Sequence, residues 1–179
     1  MIRLPVQKTL LLCGLVVASL ALTVKGEGED PDDTFCHDWF GKNARHTPLA
    51  LANTNMAVSA VTLDGLPSGW IFRTDQVPPS CKGKRGQIAV LVGIGTDARI
   101  KGVTVLSHKE DPKYFRRLNS SFFSQFTEKR ADDDASHIDA VTHATFSSRA
   151  IIRDVMEGAK NVIALPEVAA KLNSANKGG

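Results

Sequence analysis

Aromatic residues are scarce in this chain. Phe, Trp and Tyr together make up 6% of its 179 residues. That argues against a large aromatic ligand cage and against a base-stacking surface. Cysteine is scarce too, with three copies. "FCHDW" has a Cys-His step but no earlier cysteine, so a covalent haem site is not indicated. Net charge is also missing once the first segment is set aside. The formal charge is +3, yet Arg3, Lys8 and Lys25 all fall within residues 1–26, a segment with no acidic residue. The remaining 19 basic residues balance 19 acidic ones, so the domain lacks the electrostatic footprint of a nucleic-acid binder. No internal repeat and no glycine-flanked nucleophile elbow is present.

The leading segment has the anatomy of a secretory signal. "MIRLPVQK" carries positive charge, 9–24 is apolar, and "KGEGEDPDD" turns sharply polar. The apolar length lies between a signal core and a short membrane span. Residues 1–26 are therefore read as a signal peptide or N-terminal anchor, residues 27–53 as an N-terminal extension, and residues 54–179 as the domain. Leu12 is too large for a good lipobox before Cys13. Either reading exports the domain, to the periplasm or another extracytoplasmic space, with the anchor option leaving it membrane-attached. In an oxidising compartment Cys36 and Cys81 are candidates for a disulfide; two separate thiols is the other reading.

The chain is long enough for one domain with a real core. Phe35 to Phe40 form a short amphipathic patch, read as a helical turn or two. "MAVSAVTLDG" alternates loosely and ends in the hairpin signal Asp64-Gly65, with "GWIFRTDQV" as partner strand. "VPPSCKGKRG" is loop by composition. "QIAVLVGIG", "TDAR" and "RIKGVTVLS" make a second hairpin, its first strand buried. Aromatic residues between Tyr114 and Phe126 recur at helical spacing after Pro112, which predicts one or two short helices packed in the core. Asp132 to Asp134 read as a solvated loop; three adjacent carboxylates cannot all face one calcium ion. From Ile151 to Ile163 apolar residues recur at i, i+3 and i+4, an amphipathic helix that Pro166 stops before a last short one. Hairpins followed by helices predict an α+β fold: an antiparallel sheet with helices packed on it.

At the start of that long helix stands "DAVTHATFSSRA". Asp139, His143 and Ser147 fall at i, i+4 and i+8, which suggests a hydrolase triad. Two features oppose it. "IDAV" reads as a strand end, and one helix cannot aim nucleophile, base and orienting acid at a single atom. Thr142, Thr145, Ser147 and Ser148 can cap the helix, but one cap suffices. The surplus suits an anion, because a helix N-terminus presents free N–H groups and the positive end of its dipole.

This stretch resembles the flavin-attachment motif of the FMN-binding domain family, found in subunits of the Rnf and sodium-translocating NADH:quinone oxidoreductase complexes and in NosR-like proteins. The family pattern is Asp, two residues, Ser or Thr, Gly, Ala, Thr, one residue, Ser or Thr. Here it reads Asp139, Thr142, His143, Ala144, Thr145, Ser147. "IAVLVGIGTDARIKGVTVLSHKEDP" resembles the family's hairpin, and "HKEDP" falls where members have a loop near the flavin, which brings in His108 and Glu110. "FFSQF" and "GWIFRTDQV" are similar to further family segments, so the resemblance spans 54–165.

The resemblance implies FMN linked to Thr145 through a phosphoester, with Asp139, Thr142, His143, Ala144, Ser147, Ser148, His108 and Glu110 around it. It implies an exported electron-transfer flavoprotein, a redox carrier rather than a stand-alone enzyme. Its partners would be a flavin transferase and a redox protein or membrane oxidoreductase complex, with no nucleic acid and no metal of its own. The alternative is a regulatory or interaction module of the same fold that binds flavin non-covalently or not at all. Two positions depart from the family pattern. His143 replaces the motif glycine, which serves close backbone approach or positive φ, and Lys113 replaces a glycine after Pro112.

Overall fold

The computed structural model describes residues 31–52 and 54–175. The expected leader and its cleavage region lie outside them. Five strands form one sheet in the order β1-β2-β3-β4-β5, every neighbouring pair antiparallel. They are β1 (Ala44–Pro48), β2 (Val58–Leu63), β3 (Leu66–Arg73), β4 (Ile88–Gly95) and β5 (Ile100–His108). The helices are α1 (Pro31–Phe40), α2 (Pro112–Phe115), α3 (Ser120–Ser124), α4 (Thr145–Ile163) and α5 (Pro166–Ala175), with a 3-10 turn at Ala135–His137. This is the expected α+β architecture.

Both expected hairpins form. Asp64 and Gly65 turn β2 into β3, each with positive φ, and 96–99 turns β4 into β5. β4 is buried along its whole length because both faces of the sheet are covered. On one face α4 lays Ile151, Val155, Met156 and Val162 against Phe72, Val90, Val92 and Ile94. Each such side chain contributes about 1.5–3 kcal/mol by leaving water. On the other face α1 sets Cys36 and Phe40 against Val61, Ile71 and Leu91. Trp39 lies flat on the sheet, and a Cβ at Gly102 would overlap its indole. The described part of the extension thus supplies one helix and the edge strand β1 to the same sheet.

Two expectations are corrected. Cys36 and Cys81 are free thiols. Cys36 is buried under α1, whereas Cys81 donates its backbone N–H to Asp154 of α4, across the sheet, at 2.6 Å. Burial pushes both thiols up to about 11, so neither is poised to ionise. "IDAV" is not a strand end. Asp139 N–H is taken at 2.8 Å by the Gln125 side chain, so this backbone has left the sheet ladder. Among the described residues, no helix is long and apolar enough to cross a membrane.

Candidate functional site

The hydroxyls of "DAVTHATFSSRA" do not cap α4. Its N-cap is Ala144, which makes no side-chain cap bond. Thr145 Oγ1 instead donates to Val141 O over a long 3.4 Å. Ser148 Oγ donates to Ala144 O at 3.0 Å and accepts from Val141 N at 3.0 Å, pinning the loop from below. Ser147 Oγ donates to Glu110 Oε2 at 2.5 Å. The helical ladder begins with Ser148 N to Ala144 O. The N–H groups of Thr145, Phe146 and Ser147 lie ahead of it, at the positive end of a 19-residue dipole.

Packing holds the bare end in place. The apolar face of α4 supplies several times the ~1 kcal/mol a cap contributes. His143 sits immediately before the end with φ at 66°, in the left-handed region. The histidine therefore adopts the backbone that the family's glycine permits, at a cost of roughly 1–2 kcal/mol. Histidine is among the residues that enter this region more readily than most.

A second loop closes the site. Glu110 is buried, and its carboxylate takes Arg85 N–H at 2.6 Å and Lys84 N–H at 3.1 Å besides the Ser147 hydroxyl. Gly83 makes this approach feasible, since a Cβ there would stand 2.8 Å from the carboxyl carbon. Burial alone would push Glu110 up. The bonds from Ser147, Arg85 and Lys84, with the His108 charge, outweigh it and leave the carboxyl below its ordinary range. Asp111 caps α2 through Lys113 N–H at 2.9 Å and meets Arg85 at 3.4 Å. Glu110 thus fastens the 82–86 loop to the first turn of α4.

Between them lies a pocket of 190 Å³. Its walls include Lys84, Arg85, Tyr114, His143, Thr145 and Phe146. Phe146 is 73% exposed and Tyr114 43%, so two rings stand at the mouth. The donor set is three free N–H groups, two exposed cations and an imidazole. It fits an anionic phosphate with an aromatic body attached.

Of the residues singled out in the sequence, Thr145, His143, Ala144, Ser147 and Glu110 line this pocket. Ser148 is buried behind it. His108 stacks on Phe115 at 3.6 Å and lines a neighbouring cleft instead. Thr142 and Asp139 are exposed and line neither hollow. Gln125, not the Asp139 carboxylate, ties that loop. Lys84, Arg85, Asp111, Tyr114 and Phe146 were not foreseen. The two glycines that bracket Lys84 and Arg85 were the available signal.

Comparison with known proteins gives the site a lineage. Residues 83–160 match the family model described as FMN-binding domain. A subunit of the proton-translocating ferredoxin:NAD(+) oxidoreductase complex of Clostridium ljungdahlii is 32% identical over 95 residues, which cover 48% of this chain and 51% of that protein. A subunit of the ion-translocating oxidoreductase complex of Aliivibrio fischeri is 28% identical over 113 residues, covering 56% and 52%. The chain spans about half the length of these curated relatives. The matched stretch contains the 83–86 loop, Glu110 and the first turn of α4, so the pocket is built from the part of the chain that matches the FMN-binding domain model.

Proposed function

We propose that this chain carries FMN on Thr145 through a phosphoester and serves as an exported electron-transfer flavoprotein. The carrying observation is the uncapped start of α4, which leaves three N–H groups free beside a threonine hydroxyl held only by one long bond. Phosphate at that point would lie among the N–H groups, with Lys84, Arg85 and His143 balancing its charge. Tyr114 and Phe146 offer faces for the ring. When bound, the isoalloxazine supplies reversible one- or two-electron chemistry; the protein's share is to hold it and set its electrostatic surroundings.

Attachment needs a partner enzyme. In the step proposed, Thr145 Oγ bonds to the flavin-side phosphorus of FAD. The bond from that phosphorus to the adenylate half breaks, AMP leaves, and the threonine proton passes to a base of the metal-dependent transferase. A covalent link suits an exported carrier, because a dissociating flavin would be lost outside the cell. The relatives' place in ion-translocating oxidoreductase complexes supports a partner of that class for this chain.

The test is Thr145→Ala expressed with a transferase. In-gel flavin fluorescence should disappear while the melting temperature stays within a degree or two. Fluorescence that persists, or that follows Thr142, Ser147 or Ser148, rejects the assignment. A wild-type protein whose flavin washes out on denaturation supports the non-covalent module.

A further inference from the structure

The wall made by Lys84 and Arg85 has a second side. There the 82–86 loop and the neighbouring ends of β4 and β5 enclose a cleft of 620 Å³, larger than the pocket beside Thr145. Lys82, Lys84, Arg85 and Lys109 line it. Its own carboxylate, Asp75, is already gripped by Arg73 through two bonds of 3.1 and 3.0 Å. Glu110 and Asp111 behind the loop are likewise taken. Among the described residues, no carboxylate pairs with Lys82, Lys84 or Lys109. Like charges gathered in a concavity repel, and an arriving anion relieves them.

The build of the cleft selects the anion's class. Lys82, Lys84 and Lys109 are exposed, on flexible stems. A small ligand is held by a few pre-organised groups in an enclosed site. Mobile surface cations instead create a field that steers a protein and holds it weakly. A flat bilayer does not enter a concavity, and the lining has no Phe, Tyr or Trp on which bases would stack.

We propose that this cleft is the docking surface for an acidic protein, whose protruding carboxylates seat among Lys82, Lys84 and Lys109. The flavin reading enters only in what docking serves. Lys84 and Arg85 border both hollows, so a partner seated here stands one loop away from the Thr145 pocket.

The experiment titrates the 15N-labelled, flavin-free full chain with poly-L-glutamate. Amide signals of 82–87, Ser107 and Lys109 should move, and less so as salt is added. The double variant Lys82→Gln/Lys109→Gln should weaken the apparent affinity about fivefold without a change in melting temperature. Three results overturn the proposal: cleft signals that stay still, a double variant that binds as tightly as the parent, and phosphatidylglycerol vesicles or a single-stranded oligonucleotide that move these signals at lower charge concentration than poly-L-glutamate. The flavin plays no part in this titration, so its failure is distinguishable from failure of the Thr145 assignment.

Discussion

Four helical segments among the described residues begin in two different ways. At α2, α3 and the 3-10 turn, Asp111, Asn119 and Asp134 each turn a side-chain oxygen back to accept a backbone N–H. At α4 the corresponding residue is Ala144, which has no such oxygen, and the nearby hydroxyls are bonded elsewhere. The capped segments run for 4, 5 and 3 residues, too short to stand without help at their ends. The uncapped helix runs for 19 and is held by its buried face. The chain thus places caps where stability needs them. At α4, which packing already secures, it leaves the donors free, and that start is where the family motif lies.

The largest break in this contrast comes from Glu110, which joins the loop to the bare helix start. Glu110→Ala removes three hydrogen bonds and leaves the N–H groups of Lys84 and Arg85 without their acceptor. The expected loss is about 3 kcal/mol in chemical denaturation, together with most of the attached flavin. The carboxyl is held below its ordinary value of 4.5 in the folded state. Its contribution is therefore complete above that value and fades as pH falls through the lowered one. A Glu110→Gln variant should show a flatter melting temperature than the parent across that acidic window.

A smaller effect is expected at a capped start. Asn119→Ala should cost about 1 kcal/mol and leave flavin content unchanged, because it removes a cap that serves only the fold. If flavin content fell with it, the division between structural and binding helix starts would not hold. The smallest effect concerns His143. His143→Gly relieves a left-handed histidine and should stabilise the flavin-free protein by up to about 1 kcal/mol. If the imidazole partners the phosphate or the ring, the same change leaves the flavinylated fraction equal or lower and shifts the potential. A clear gain of flavin would show that the histidine only obstructs.

The elements of the fold were readable where one periodicity dominated. The buried run of β4, the turn after it and the i, i+3, i+4 face of α4 each carry their own pattern. β1 was not readable, because Ala44–Pro48 is short, polar and mostly exposed at a sheet edge. The stretch before Val141 misled for a different reason. Ile138 is extended, as a strand residue would be, but the partner of the next N–H is the Gln125 side chain and not another strand. Within the site, Thr145 and its neighbours were visible as a motif. The clasp was not, since Glu110 and Ser147 meet from 37 positions apart, and no local pattern announces a buried carboxylate that holds a glycine-bracketed loop. The bare start was hidden as well: four hydroxyls look like caps until the bonds of Thr145, Ser147 and Ser148 are seen.

Peptide mass mapping of the protein made with its export machinery and a flavin transferase tests the central claim most directly. The account predicts that the peptide containing Thr145 carries the added mass of FMN less one water, with fragmentation placing it on that hydroxyl. An unmodified Thr145 peptide in a sample that is yellow, or FMN mapped to any other residue, would contradict it.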